Sequence, residues 1–317
     1  MSDRRRFIKQ ATLGATALSV ASTSAFYEMS KTSLSLPSNL KISLAQWSFH
    51  RALEKGEMNA SDFAHIAKQN FGVHAVEYVN QFYTEKANNE KYWAEMKKRA
   101  DDEEVTSLLI MVDEEGDLGS PDPLERIKSV ENHYKWIHAA KILGCHSIRV
   151  NAFGEGDRAS LKTSLIDGLG RLASYGAKEN INILIENHGL HTSDAKFVVS
   201  IIEQVGNPYL GTLPDFGNWC LATKWGSTQN NTCSQVYDRY QGVSEFLPFA
   251  KGVSAKSYDF DLNGNETIIN YHKMLKIVKD SGFNGYIGIE YEGEAISEPE
   301  GIWATKKLIE KVWNEIG

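Results

Sequence analysis

Cysteine is scarce in this sequence, with three among 317 residues at positions 145, 220 and 233. None follows the apolar stretch near the amino terminus, so a lipoprotein-type anchor is not indicated there. A basic excess is missing as well. The net charge of -7 argues against a general nucleic-acid or anionic-membrane binder, because both partners want a cationic face. Also absent is an apolar run of membrane-spanning length, since the stretch from Ala11 to Ala25 is too short. What remains is globular: 42% hydrophobic and 24% charged residues allow a sizeable core. Cys145, in "LGCHSIRV", enters a strand-like run and reads as a small buried hydrophobe. Cys220 and Cys233 flank a polar loop, and pairing between them is left open.

The first 25 residues form a text of their own. "DRRRFIKQ" places Arg4, Arg5 and Arg6 before Phe7, Ile8 and Lys9, a short apolar middle follows, and Thr23, Ser24 and Ala25 end it. Charged start, apolar centre and small residues predict a removable export signal at 1–25 of the twin-arginine (Tat) kind, which carries folded proteins out of the cytoplasm. The expected location is therefore periplasmic or otherwise extracytoplasmic. The Tat machinery would be a transient partner, without a stable membrane anchor. Residues 26–39, containing "YEMSKTSLSLPSN", are Ser-rich and aperiodic and read as a linker.

From residue 40 a regular alternation begins. Strand-like runs occur at 41–47, 75–80, 105–111, 147–151, 182–187, 210–215, 252–256 and 286–290. Between them lie helix-like segments with apolar residues at steps of three and four, such as "LERIKSVENHYKWIHAAKIL" and "AKFVVSIIEQV". Gly144, Gly176, Gly206 and Gly282 are placed as helix C-caps. Eight strand–helix units predict one α/β domain, a single (β/α)8 TIM barrel over 40–317. A doubly wound sheet uses the same alternation. Its phosphate fingerprint is represented only by "GEGDRA", which follows the fourth strand where the first would be required.

Chemistry in such barrels sits at the C-terminal ends of the strands. Here those ends carry Glu77, Asn151, Glu186 with His188, Asp215, Lys256 and Glu290. Strands buried on both faces tolerate terminal charges only where these are wet, paired or bound to a cation. Glu186, Asp215 and Glu290 close the fifth, sixth and eighth strands, so three carboxylates crowd one side of a mouth and call for a divalent metal. "DEEGDLG" (113–119) reads as a solvated lid.

In order and spacing, "LIENHG", "GTLPDFGNW", "GVSAKSYDFD" and "GYIGIEYEG" resemble the xylose isomerase-like TIM-barrel superfamily of sugar isomerases and epimerases. The resemblance covers about 40–317. It implies Glu186, Asp215 and Glu290 as ligands of Mn, Mg, Co or Zn, and a further histidine ligand on the seventh strand. Ser254 stands at that histidine's place, so the ion would be completed by water, His188 or Asn218. Alternatively Lys256, on the same face as Ser254, supplies the cation itself.

The reading is an exported sugar isomerase or epimerase-like enzyme that moves a proton next to a carbonyl. Glu186 and Glu290 would act as acid and base, with Lys256 as electrophile. Glu77, Asn151, His188, Asn218, Trp219 and Tyr258 are the expected substrate contacts, and Trp47, His50, Tyr78 and Phe82 are further flat apolar faces. A keto-glycoside lyase begins with the same proton abstraction, and a sugar-binding barrel that has lost its metal is the non-catalytic alternative. The partner expected is a small sugar and no nucleic acid; a homo-oligomer is allowed. A repair endonuclease is disfavoured by export, acidity and missing histidines.

Overall fold

A computed structural model describes residues 39–230 and 232–317. The expected export signal and all of the linker but Asn39 lie outside the described residues. Eight parallel strands follow one another around a closed sheet: β1 (Ile42–Ala45), β2 (Ala75–Val79), β3 (Thr106–Val112), β4 (Ser147–Val150), β5 (Asn182–Glu186), β6 (Leu210–Leu213), β7 (Val253–Ser257) and β8 (Ile287–Tyr291). Each pairs with its sequence neighbour, and β1 pairs with β8. The seam between β6 and β7 is the sparse one. It is closed by bridges at Thr212 with Ala250 and Asp215 with Ser254, through Lys251 N to Thr212 O (3.1 Å), Ser254 N to Pro214 O (2.9 Å) and Phe216 N to Ser254 O (3.1 Å). The described residues form a single (β/α)8 barrel, as the alternation predicts.

The helices show how the sequence specifies this layer. In Ala195–Val205 the buried Phe197, Val198, Ile201 and Ile202 recur at helical spacing. Asp194 caps its start by accepting from Phe197 N, and Gly206 ends it in the left-handed region at φ 62°. Gly144 and Gly282 also adopt positive φ at helix ends. Gly176 does not: it lies inside Arg158–Glu179, which Asn180 ends at φ 59°. A Cβ on Gly176 would lie 2.5 Å from Ile181 O, so the glycine serves close approach of the returning chain. The run 124–143 is divided at His133 into Pro123–Asn132 and Tyr134–Leu143. The helix Glu90–Asp102, whose composition is dominated by charge, buries only Trp93, Met96 and Ala100. No helix among the described residues is long and apolar enough to cross a membrane.

Alternation along the strands splits the apolar residues into two sets. Ile183, Ile185, Val76, Tyr78 and Ile289 face the helices and join the main core. Ala45, Val79, Leu109, Met111, Leu184 and Leu213 face the barrel axis, with Trp47 and Phe82 against them. The axial space is otherwise polar, holding Ser43, Glu77, Arg149, Glu186, Asp215, Ser254, Lys256 and Glu290, all buried. Cys220 and Cys233 are disulfide-bonded across the long β6-to-helix excursion, and Cys145 is buried and free.

Candidate active site

The strand register brings the charges together. Lys256 on β7 lies opposite Glu290 on β8, and both point to the axis. Lys256 Nζ is 3.0 Å from Glu290 Oε1, 3.0 Å from Glu292 Oε1 and 3.8 Å from Asp215 Oδ2. Burial alone would lower the lysine's pKa, but Asp215, Glu290 and Glu292 together hold it well above the usual value, so it is a permanent cation. Glu292 also accepts from Trp47 Nε1 at 2.6 Å, which ties the aromatic rim to the charge cluster.

Asp215 is fixed from three directions. Its Oδ1 accepts from Gly217 N and Asn218 N, both at 2.7 Å, and its Oδ2 lies 2.8 Å from Ser254 Oγ. Asn187 then pins β5 to β6 by donating to Asp215 O (3.1 Å) and accepting from Asp215 N (2.8 Å). Ser254 Oγ is also 2.8 Å from Glu290 Oε2. A hydroxyl has one proton, so it cannot donate to both carboxylates at once. One of the two contacts sets lone pairs against each other unless a proton or a cation lies nearby. Burial, opposed by Lys256 and reinforced by Glu290, pushes Asp215 up to about 6.

Across the mouth, Arg149 on β4 faces Asp113 and Glu186. Its Nη1 donates to Asp113 Oδ1 at 2.6 Å. Its Nε lies 2.7 Å from Glu186 Oε2 as an ion pair, without the alignment of a hydrogen bond. Both Glu186 oxygens are buried and accept no hydrogen bond. Burial raises the Glu186 carboxyl well above its ordinary range, against the pull of Arg149. For Asp113 burial also pushes upward, but Arg149 prevails and keeps it low. Asn151 donates to Asp113 Oδ1 (2.6 Å), so its own oxygen is left to accept from His188 Nδ1 at 2.7 Å. That fixes the imidazole tautomer and leaves Nε2 a bare acceptor. Burial and Arg149 depress the His188 pKa well below normal, so the ring is neutral at pH 7.

Glu77 lies deeper, accepting from Ser43 Oγ at 2.6 Å, with its second oxygen unpartnered. Gly288 makes room for it, since a Cβ there would come within 2.6 Å of Glu77 Oε1. Burial lifts this carboxyl to about 7. A carboxyl whose folded pKa is raised holds its proton after the unfolded chain has lost it. Stability therefore falls as pH rises from about 4.5 to about 7. Glu77→Gln should remove that slope and gain up to about 3 kcal/mol near pH 7, the free-energy equivalent of the shift. Denaturant unfolding at pH 5 and pH 8 checks it; an unchanged difference between variant and wild type would refute the neutral-carboxyl assignment.

The expected ligand trio is assembled. Glu186, Asp215 and Glu290 are all buried, and each offers an oxygen within 4.8 Å of the others. The undonated oxygens of Glu186 and the single Ser254 proton shared between two carboxylates are what a hard cation with oxygen ligands would resolve. The donor set thus fits a divalent ion held by Glu186, Asp215 and Glu290, with Lys256 already neutralising part of the charge.

Two of the expected substrate contacts are closed off from solvent. Trp219 and Tyr258 are fully buried. Trp219 supports the site from beneath, donating Nε1 to Asp215 O at 2.8 Å and packing on Phe246. Tyr78 is likewise core. Trp47, His50 and Phe82 remain partly exposed and stack in a row, Trp47 to His50 at 4.8 Å and Trp47 to Phe82 at 6.2 Å. The 113–119 loop is no solvated lid: Asp113 and Leu118 are buried, and Glu115 is tied to Lys135 and Trp136. Sequence reasoning missed Arg149, Asp113 and Glu292. For Arg149 a signal existed, an arginine in the middle of the apolar run "SIRVN".

Comparison with known proteins shows the family and the fold. A curated relative, a putative hydroxypyruvate isomerase of Mus musculus, is 26% identical over 167 residues, 48% of this chain and 56% of the relative. The chain thus spans little more than half of that protein's length. Among solved structures, 3-keto-D-glucoside 4-epimerase from E. coli superposes with a TM-score of 0.62 at 13% identity, covering 85% of this chain and 98% of that one. A xylose isomerase-like TIM barrel protein from Mycobacterium smegmatis in complex with magnesium gives 0.61 at 15% identity, covering 88% and 98%. Residues 65–310 match the family described as xylose isomerase-like TIM barrel, and this chain belongs to that family.

Proposed function

We propose that the protein is an extracytoplasmic enzyme that moves a proton at the carbon beside a carbonyl of a sugar or keto-sugar, assisted by a divalent metal. The observation that carries this reading is the buried trio Glu186, Asp215 and Glu290 beside a permanently charged Lys256. Glu186, with free oxygens and a raised pKa, takes the proton from carbon, and the electron pair moves to the carbonyl oxygen. Lys256 stabilises the oxyanion that develops there. Glu290 relays a proton from water to the opposite face of that carbon, giving an epimer, or to the neighbouring carbon, giving an isomer, while Glu186 releases its proton to water. Neutral His188 accepts a hydrogen bond from a substrate hydroxyl through Nε2, with Asn151 holding the ring. Glu77 lies below and tunes the field. A metal held by Glu186, Asp215 and Glu290 would polarise the substrate oxygens. The E. coli relative's name, a 3-keto-D-glucoside epimerase, is consistent with a keto-sugar.

The experiment is solvent exchange. Sugars and keto-sugars incubated with the protein and Mn²⁺ in D2O should gain deuterium at one carbon. Sugar binding without exchange under any metal would make the protein a binding barrel and overturn this reading.

The metal half has its own test. Ser254→His introduces an imidazole where a hydroxyl now bridges Asp215 and Glu290, and nitrogen is the better ligand for Mn²⁺, Co²⁺ or Zn²⁺. Calorimetric titration should show tighter Mn²⁺ binding by roughly tenfold or more, the usual scale for one improved ligand shell. No heat of binding to the wild type at millimolar Mn²⁺ would end the metal assignment.

Export is supported by the Arg4–Arg6 run and by the Cys220–Cys233 bond, which suits an oxidising compartment. Changing Arg4 and Arg5 to Lys should leave a precursor inside the cell, seen by fractionation and mass. Normal export of that variant would remove the Tat assignment.

A further inference from the structure

Beside the mouth lies a second cleft of about 200 Å³. Its walls come from three loops: 113–122 with Glu114 and Asp117, 151–157 with Asn151 and Phe153, and the β6 excursion with Lys224 and Trp225. Asn151 is common to the cleft and the site, because the same amide that orients His188 lines this wall.

Trp225 stands out within it. The ring is 37% exposed, while its backbone sits at φ 72°, a left-handed conformation unusual for a bulky residue. Such strain persists only where the surroundings over-determine it. They do so here. Gly189 and Gly226 touch backbone to backbone, so that a Cβ on Gly226 would lie 2.5 Å from Gly189 N. Cys220 N donates to Gly226 O (3.0 Å), Leu190 N lies 3.1 Å from both Cys220 O and Thr223 O, and the Cys220–Cys233 bond ties the excursion. The indole is aimed in the same way. The His188 ring meets it edge-on at 5.0 Å and Phe153 at 5.8 Å, while Lys224 Nζ lies 4.9 Å from its centroid. A rigid, part-exposed indole with the Lys224 ammonium over its ring and carboxylates in the same cleft is the chemistry that recognises a neutral sugar: C–H groups on the indole surface the lysine leaves open, hydroxyls on the charges.

We infer that this cleft is a second sugar subsite, which takes the ring attached to the reacting sugar when the substrate is a glycoside. The inference rests on the sugar reading of the mouth. His188, in T-shaped contact with Trp225 and hydrogen-bonded to Asn151, joins the two subsites. The mixed charge of the walls, Lys224 against Glu114 and Asp117, favours a neutral ring over a uronate or a phosphorylated one.

The test uses the mature protein with Mn²⁺ and the probes glucose, cellobiose, maltose and trehalose, followed by calorimetry. At least one disaccharide should bind about tenfold tighter than glucose, the gain of one well-stacked ring. That preference should vanish in both Trp225→Ala and Trp225→Gly. The glycine variant relieves the left-handed strain, so its Tm should hold or rise while the preference is lost. Disaccharides no tighter than glucose, or a preference that survives both variants, overturns the subsite. The sugar-chemistry reading fails separately: deuterium exchange into a monosaccharide without disaccharide preference sinks only the subsite, and preference without exchange sinks only the chemistry.

Discussion

Glu186→Gln is expected to lower turnover by on the order of 10²–10⁴, the range associated with losing a general base, while the protein stays folded. Glu186 has two buried oxygens without hydrogen-bond donors and a carboxyl raised by burial, so the amide removes a base without removing a structural hydrogen bond. Arg149 retains Asp113 as a partner. Its folded pKa being raised, Glu186 costs stability as pH climbs above the unfolded carboxyl value. The metal-free Gln variant should therefore match or exceed wild type in Tm at pH 8. Steady-state rates give the first half of the expectation and scanning calorimetry without metal the second. A large drop in Tm would assign Glu186 to the scaffold instead of the chemistry. Glu290→Gln should lose turnover alike, although its ties to Lys256 and Ser254 make its stability effect less clean.

Lys256→Met is the second large effect, and it divides into two parts. Removing the ammonium leaves Glu290, Glu292 and Asp215 without the cation that all three approach within 3.8 Å. Breaking a buried pair by deleting one partner costs about 3–5 kcal/mol. In a chain of this size that corresponds to a Tm lower by roughly 10 °C. Added Mn²⁺ should return part of this loss, because a metal at the trio takes over neutralisation. Turnover should fall by about 10²–10³ even with metal, as for one lost oxyanion donor. Melting curves with and without Mn²⁺ decide the matter. A Met variant as stable as wild type in chelator would show that the carboxylates do not depend on the lysine charge.

The strands were legible because parallel barrel strands are buried on both faces and read as apolar runs. Each of the eight falls within a few residues of its expected place, and the abrupt polar endings at Glu186, Asp215 and Glu290 stand out for the same reason. Arg149 escaped because its meaning is non-local: its partners lie 36 and 37 positions away, and nothing within β4 signals them. Trp219 was misplaced because the fold of the long excursion after β6 cannot be read from periodicity, and only there does the ring turn inward under Asp215. The break at His133 was hidden by an apolar pattern that runs through it in step on both sides. Trp225 was passed over for a similar reason, since its left-handed backbone depends on Gly189 from another loop.

The sparse β6–β7 seam makes the site a latch for the whole cylinder. Seven strand junctions are paired ladders, one of them with a register shift at Val76–Glu77, but the eighth rests on a few bonds, and two of these involve Ser254 beside Asp215. Whatever draws Asp215, Ser254 and Glu290 together also draws shut the last open edge of the sheet. An occupant that bridges Asp215 and Glu290 would therefore be expected to sharpen the unfolding of the whole barrel as well as to raise its stability.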